Sequence, residues 1–332
     1  MTRVPHGRRA IAKHFGLRST NEMIRGSMLL RVVSMPLCTG VEVRGVGCMH
    51  EFDLVRLRRL MGLSSGRADV AIGLIDGPVE FKHPELASLR NRLVALDAGA
   101  SCASDCSNAC QHGTFIAGML CASRGSGAPA LCPGCTLLVC PIFTGSNDRP
   151  GTTVRALSSA IDRTVAAGAR VLNISLELAR SPDPASEAML VDSLDAAARG
   201  GVLIVAAAGN GSQVGSSVIT KHPWVIPVVA FDHRRRPLAT SNLGHSIGKN
   251  GIGAPGHAIT SLAPDGKLAT ASGTSISAPF VTGTIALLLS LFPKVVPANV
   301  RRAIAGSSRR SAIVPPLLDA FAAYRRLGAL SE

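Results

Sequence analysis

From residue 68 onward, short apolar runs alternate with longer segments of helical spacing, and this alternation limits the fold more than any other feature of the chain. The runs have four to six residues and stand at Val70–Ile75, Thr136–Val139, Val171–Ile174, Val202–Ala207 and Trp224–Val229. Two segments between them, Thr153–Ala167 and Ala185–Arg199, have helical spacing and stop at glycine. Apolar strands separated by helices are typical of a parallel sheet covered on both faces. We therefore predict an α/β fold with a mostly parallel central sheet.

Four polar residues stand at the boundaries of these predicted elements. Asp76 ends the first apolar run, His112 lies at the start of a helical stretch, and Asn210 follows the run at 202–207. Ser275 precedes an almost wholly apolar helical segment, and Pro279 fits only the first turn of that helix. Ser275 is therefore expected at a helix N-terminus, where free N–H groups favour an anion. Taken singly, each residue also fits an ordinary role in a turn, on the surface or as an N-cap.

Taken together, the four residues predict a hydrolase with a serine nucleophile. A serine hydroxyl is a poor nucleophile at neutral pH, so it needs a neighbouring base, and that base needs a carboxylate to orient it. The chain supplies Asp76, His112 and Ser275 in that order. In parallel sheets, functional groups gather at the carboxyl ends of the strands, where Asp76 and Asn210 are expected.

The segments around these residues resemble the motifs of the subtilisin-like serine proteases, the subtilases. The motifs are Ile75–Gly77, His112–Thr114, Ala208–Asn210 and Gly273–Ser275. Their order along the chain is that of the family. The resemblance implies a three-layer subtilisin-like fold in a protease domain of residues 67–332. It also implies that Asp76 orients His112, that His112 is the general base and acid, and that Ser275 attacks the peptide bond.

The same resemblance implies the oxyanion hole and the substrate-binding residues. Asn210 and the Ser275 backbone N–H would hold the oxyanion. The segment 173–176 resembles the strand with which the family pairs its substrate. The implied substrate-binding residues are Ser175, Leu176, Glu177, Ala208 and Gly209. Glu177 stands where the family usually has glycine, so we expect its carboxylate either to favour a basic residue before the cut or to narrow the pocket.

A narrower resemblance links the chain to the cyanobactin-maturation proteases, which cut leader or follower segments from ribosomally made peptides. The segments that carry it are 76–78, 83–84, 110–114, 133–135 and 141–143. It implies a peptide or precursor-peptide substrate and a cytoplasmic processing enzyme. A broad-specificity intracellular subtilase and a peptide-binding pseudoprotease remain alternatives. The complete set of Asp76, His112, Asn210 and Ser275 speaks against the pseudoprotease.

Seven of the nine cysteines fall between Cys102 and Cys140. Disulfides that clamp the loop before His112, a zinc site that uses the CxxC at 132–135, and reduced buried thiols are all open interpretations. Zinc is disfavoured because His112 must stay neutral and free for catalysis. Cys38 and Cys48 flank a predicted hairpin and are a further possible pair.

Residues 1–66 form a basic N-terminal extension. Residues 1–67 carry twelve Lys or Arg against four acidic residues, which is +8 of the total charge of +14. Strand-like runs at Leu29–Val33 and Val41–Val46 predict a hairpin, and the apolar positions from Phe52 to Met61 predict a short amphipathic helix. Charge alone suggests a nucleic-acid partner, which would require binding that falls steeply with salt. We expect no such partner.

Targeting, membrane and metal signals are weak. Arg8–Arg9 is not followed by an apolar core, so we predict no secretory signal and a cytoplasmic protein. The apolar run Ile285–Phe292 is too short to span a bilayer. Calcium supports many subtilases, but Asp148 and Asp183 are isolated. We therefore expect no cofactor and assign no metal ligand.

Overall fold

A computed structural model describes residues 30–31, 48–89, 91–102, 107–143, 151–178, 182–306 and 311–330. The helices are α1 (Cys48–Leu54), α2 (Leu57–Leu63), α3 (Asn108–Cys121), α4 (Val154–Ala166), α5 (Pro184–Arg199), α6 (Val218–Lys221), α7 (His245–Asn250), α8 (Thr274–Leu291), α9 (Pro297–Ala305) and α10 (Ala320–Gly328). The strands are β1 (Leu30–Arg31), β2 (Ala71–Asp76), β3 (Leu93–Ala95), β4 (Thr136–Pro141), β5 (Gly151–Thr152), β6 (Val171–Ile174), β7 (Glu177–Leu178), β8 (Leu203–Ala207), β9 (Val225–Phe231), β10 (Ile252–Pro255), β11 (Ile259–Ala263) and β12 (Lys267–Ala271). A 3₁₀ helix covers Pro84–Leu89.

Seven strands form a central sheet in the order β10-β9-β8-β6-β2-β4-β3. Every neighbouring pair in it is parallel. The five apolar runs became β2, β4, β6, β8 and β9, so the predicted α/β fold with a mostly parallel sheet is confirmed. Strand ends differ from the predicted ends by no more than two residues, because the last buried positions of β4 and β9 continue the ladder.

The sheet is the middle of three layers. Successive side chains of a strand point to opposite faces. In β8, Leu203 and Val205 join the core cluster that includes the buried faces of α3 and α8. Ile204 and Ala206 join the cluster that includes the buried faces of α4 and α5. Helices therefore cover both faces of the sheet, as predicted.

Helix α8 is the most deeply buried helix of the described part of the chain. It packs against β6, β8 and β9, and every residue from Thr274 to Ser290 is buried. It is the one described helix that is long and apolar enough to cross a membrane, and 94% of it lies inside the protein. Its apolar composition is that of a core helix.

The predicted helix between Phe52 and Met61 is two helices, α1 and α2. Arg56 breaks it with a φ of 53°, in the left-handed region. The break has a packing reason, because residues two apart do not share a helix face. Val55 and Leu57 are both fully buried in the main core, which one straight helix would not allow. This part of the predicted extension thus packs on the same core as the rest, and the boundary at residue 66 stays a prediction.

Strand β1 lies within the predicted strand Leu29–Val33, but its partners are remote in sequence. It is the middle strand of a three-stranded antiparallel sheet, between β5 and β7. Leu30 is opposite Thr152 on one side and Leu178 on the other. The predicted hairpin partner, Val41–Val46, lies outside the described residues.

Candidate active site

Asp76, His112 and Ser275 form one hydrogen-bonded line at the carboxyl edge of the central sheet. Asp76 Oδ1 and His112 Nδ1 are 2.6 Å apart, and His112 Nε2 and Ser275 Oγ are 3.1 Å apart. The three residues are 0%, 0% and 2% exposed, respectively. The structure thus brings together residues separated by 36 and 163 positions in the chain. A carboxylate faces an imidazole, and the imidazole faces a hydroxyl.

The short distance between Asp76 and His112 depends on a close approach of two backbones. Helix α3 crosses the turn after β2 so tightly that a Cβ atom on Gly77 would collide with the Ala109 carbonyl. A Cβ atom on Gly113 would collide with the same turn. The Gly77 N–H also donates to Asp76 Oδ1 at 2.6 Å. Glycine at both positions lets the helix and the strand meet closely enough for the two side chains to bond.

Helix α3 begins earlier than predicted, so His112 is its fifth residue and not its first. The cause is local, because Ser107 caps the helix by accepting a hydrogen bond from the Cys110 N–H at 3.2 Å. Cys110 also forms a disulfide with Cys102. Of the open interpretations, the structure thus shows a disulfide that clamps the loop before His112 for this pair of cysteines. The cap and the disulfide together hold the first turn of the helix that carries the histidine.

The CxxC at 132–135 is reduced and buried. Cys121, Cys132, Cys135 and Cys140 are free thiols, and all four are fully buried. Hydrogen bonding to the Cys121 and Cys135 thiols, with complete burial, raises the pKa of the Cys132 thiol well above its ordinary value. A neutral thiol in the core packs as a small apolar group. Within the described ranges no three His, Cys, Asp or Glu side chains are grouped to hold a metal ion.

Two hydrogen-bond donors lie near the start of α8, the Ser275 backbone N–H and the side-chain amide of Asn210. Ser275 is the second residue of α8, where a helix N–H has no intrahelical acceptor. The Asn210 side-chain oxygen accepts from the Thr274 N–H at 3.0 Å. That bond fixes the side-chain amide of Asn210 and leaves its nitrogen next to Gly273. Both donors therefore lie beside the residues that lead into Ser275.

The segment after β6 approaches the same serine. Ser175 Oγ donates to the Ser275 carbonyl at 3.3 Å and accepts from Asn173 Nδ2 at 2.6 Å. Asn173 Oδ1 in turn accepts from Thr282 Oγ in the body of α8 at 2.8 Å. These buried bonds tie the predicted substrate-pairing segment to the helix that carries Ser275.

A cleft of about 270 Å³ opens next to this segment. Leu176, Glu177 and Ala208 line it, as predicted for substrate-binding residues, whereas Ser175 and Gly209 do not. Hydroxyl groups cover part of its wall, and Glu177 is the only charged residue among its described lining. Both oxygens of Glu177 are engaged. Oε2 accepts from the Asn210 backbone N–H at 3.0 Å, and Oε1 accepts from Asn242 Nδ2 at 2.7 Å.

Sequence reasoning missed the partners that hold Asn210. Asn242 bonds the segment around Asn210, and Thr274 bonds both that segment and the Asn210 side chain. Asn242 follows a short polar turn, and asparagine is common in such segments for local reasons. Thr274 belongs to the recognised motif, but nothing in the motif indicates that its hydroxyl reaches a residue 65 positions away.

Comparison with known proteins agrees with this geometry. The model of the subtilase family matches residues 67–321. The chain belongs to the subtilase family. It is 26% identical to subtilisin DY from Bacillus licheniformis, over 78% of this chain and 90% of that protein.

Solved structures of two maturation proteases are also similar to this subtilase. The prenylagaramide maturation protease PagA has a TM-score of 0.70 and 27% identity, over 82% of this chain and 98% of that one. The patellamide maturation protease PatA has a TM-score of 0.69 and 29% identity, over 80% and 98%. The family and its members establish a serine endopeptidase, and the likeness to cyanobactin-maturation proteases is confirmed.

Proposed function

We propose that this subtilase hydrolyses peptide bonds through Asp76, His112 and Ser275 by way of an acyl-enzyme, and that it processes a ribosomally made precursor peptide. The observation that carries the mechanism is the line of two hydrogen bonds, 2.6 Å and 3.1 Å long, that runs from the carboxylate to the serine hydroxyl. It has the geometry that nucleophile activation requires.

In the proposed acylation, Ser275 Oγ attacks the carbonyl carbon of the scissile bond while its proton moves to His112 Nε2. Asp76 accepts from His112 Nδ1, which holds the ring in the productive tautomer and stabilises the imidazolium. The carbonyl oxygen becomes an oxyanion, and the Ser275 N–H and the Asn210 side-chain amide donate to it. His112 then gives its proton to the leaving amine, the C–N bond breaks, and the acyl-enzyme remains.

Deacylation repeats these steps with water as the nucleophile. A water molecule gives its proton to His112 and attacks the ester carbon, and the same two donors hold the second oxyanion. His112 returns the proton to Ser275 Oγ, and the new carboxylic acid leaves. Every proton in these steps is thus passed between Ser275, His112, the leaving amine and water, and no other reactant is needed.

The groove between β5 and β7 supports an extended peptide substrate. Both strands already pair with one strand of the chain, β1, in an antiparallel register. β7 follows directly after Ser175 and Leu176, and β1 runs toward Ser175 in its carboxyl direction. Strand addition on both edges binds a peptide through its backbone and places successive side chains in pockets.

The substrate class is supported by two similar solved structures. Two solved structures at 27% and 29% identity are maturation proteases of prenylagaramide and patellamide. The match covers 98% of the length of each of these two proteins. We therefore assign a peptide substrate that is cut once or a few times in maturation, rather than a protein degraded at many sites.

Active-site labelling tests the mechanism. Wild type and Ser275→Ala are treated with a fluorophosphonate probe and analysed by intact mass, and we expect one adduct on the wild type alone. Equal labelling of both variants, or of neither when both are folded, overturns the assignment of Ser275.

A library of peptides then tests the substrate class. Cleavage confined to a few related sequences is expected, and indiscriminate cleavage contradicts precursor processing.

A further inference from the structure

The turn that carries Asn210 is held at every backbone N–H. The N–H groups of residues 209, 210, 211, 212 and 213 all have acceptors, at distances from 2.9 to 3.1 Å. The acceptors are the Thr274 hydroxyl, the Glu177 carboxylate, the Asn242 amide oxygen, which accepts twice, and the Thr240 carbonyl. Five consecutive N–H groups with protein partners make an unusually fixed turn, since loops usually leave some of these groups to water.

Glu177 is the charged acceptor in this set, and it bonds both Asn210 and Asn242. Its Oε2 accepts from the Asn210 N–H, and its Oε1 accepts from Asn242, whose own oxygen holds Gly211 and Gln213. Hydrogen bonds to an ionised group are roughly twice as strong as neutral ones. Removal of the carboxylate would therefore release Asn210 directly and loosen Asn242 as well.

The backbone around Gly209 is shaped to admit this carboxylate. Gly209 has a φ of 104°, which L side chains rarely adopt, and a Cβ atom there would lie 2.6 Å from Glu177 Oε1 and would collide with the Asn242 side chain. A glycine at residue 177, the usual residue of the family, has no atoms to accept these bonds. The carboxylate is thus a feature of this chain's own site, whereas the glycine that leaves space for it belongs to the family motif Ala208–Asn210.

We propose that Glu177 is a positioning residue, which acts on the oxyanion through Asn210 and not by selecting a basic residue before the cut. The inference rests on the proposed function, because it assumes that Asn210 donates to the oxyanion. A group that acts through Asn210 stabilises the transition state and leaves ground-state binding unchanged, so its loss lowers kcat and not the affinity for substrate.

A double-mutant cycle with Asn210 tests the proposal. Glu177→Gly should lower kcat by about 10- to 100-fold, with KM within about twofold of wild type, for peptides with basic and with neutral residues before the cut. Glu177→Gln keeps one acceptor oxygen and should lose less. In an Asn210→Ala background, Glu177→Gly should cost less than about threefold, because its target is gone. Glu187→Gln, on the exposed carboxylate of α5, is the matched control and should leave both constants unchanged.

Two outcomes overturn this proposal. One is an equal loss of kcat with and without Asn210, which would show that Glu177 acts elsewhere. The other is a loss confined to KM for basic substrates, which would show a specificity residue. A wild type that fails to label with fluorophosphonate contradicts the proposed function instead, so the two failures are distinguishable.

Discussion

The two halves of the candidate active site are held in place by different means. The triad half consists of Asp76, His112 and Ser275, which sit on β2, α3 and α8 and are fixed by regular structure and close packing. The oxyanion half is the turn 209–213, which carries the proposed oxyanion donor Asn210 and is fixed by side chains from residues 177, 242 and 274. The triad half thus depends on backbone geometry, and the oxyanion half depends on a few hydrogen bonds.

Because of this difference, we expect the two halves to respond differently to single substitutions. A packed backbone contact, such as that of α3 with the turn after β2, has no rotamer to change and is lost only when the fold shifts. A side-chain hydrogen bond is worth about 1–3 kcal/mol when its partner is buried, and a single substitution removes it. We therefore expect the triad half to fail completely or not at all, and the oxyanion half to fail by degrees.

The largest effect should come from the nucleophile. Ser275→Ala removes the attacking oxygen and should change the packing of α8 little, because the side chain loses only that one atom. We expect a loss of about a million-fold in kcat, the scale of the same loss in subtilisin. Turnover with a chromogenic peptide measures it, with circular dichroism as the folding control. Residual activity near that of wild type would remove Ser275 from the mechanism.

The next effect should come from the oxyanion half. Asn210→Ala removes the side-chain donor, and we expect kcat to fall by about 10²- to 10³-fold with little change in KM. It also leaves the Thr274 N–H without its 3.0 Å acceptor, so thermal unfolding must be measured beside the kinetics. A loss as large as that of Ser275→Ala would contradict the graded behaviour expected of this half.

The same contrast decides how much could be predicted from the sequence. The triad half follows from local patterns, since Asp76 ends an apolar strand and Pro279 marks the first turn of a buried helix. The parallel sheet then brings both to one edge, as a general property of such sheets. The extended start of α3 was missed, because Ser107 lies within a polar run with several equally good caps.

The oxyanion half could be predicted only at Asn210 itself. The side chains that bond residues 210, 211 and 209 are 33, 31 and 65 positions away in the chain, respectively. The direction of each side chain depends on the finished fold. Glu177 was predicted at the specificity pocket, and it does line the cleft. Its bonds to the Asn210 N–H and to Asn242 could not be predicted, because the sequence shows the charge and not the two N–H donors that it meets. The split of one predicted helix at Arg56 has the same origin, since core packing and not local propensity sets it.

The disulfide gives the triad half one local covalent support. The disulfide closes a loop of nine residues, from Cys102 to Cys110, just ahead of His112. Chain entropy gives such a loop about 2.5 kcal/mol of stability. Cys102→Ser with Cys110→Ser should lower the free energy of unfolding by about that amount in urea denaturation. A reducing agent should do the same to wild type and leave the double variant unchanged, and a double variant as stable as wild type would show that cap and packing suffice.

Thr274 joins the two halves, and its replacement should have the smallest of these effects. Its hydroxyl accepts from the Gly209 N–H at 3.1 Å, and the next residue is the nucleophile. Thr274→Val keeps the shape but leaves a buried N–H unpaired, which costs about 1–2 kcal/mol. Because the turn would loosen next to Ser275, we expect kcat to fall about tenfold.

Thr284→Val is the matched control for this variant. It removes a buried hydroxyl from the same helix, and that hydroxyl donates to the Phe280 carbonyl, 2.7 Å away. The control should alter stability without altering kcat. Equal kcat in the two variants would mean that the oxyanion half is held without Thr274, by the Glu177 carboxylate, the Asn242 amide and the Thr240 carbonyl.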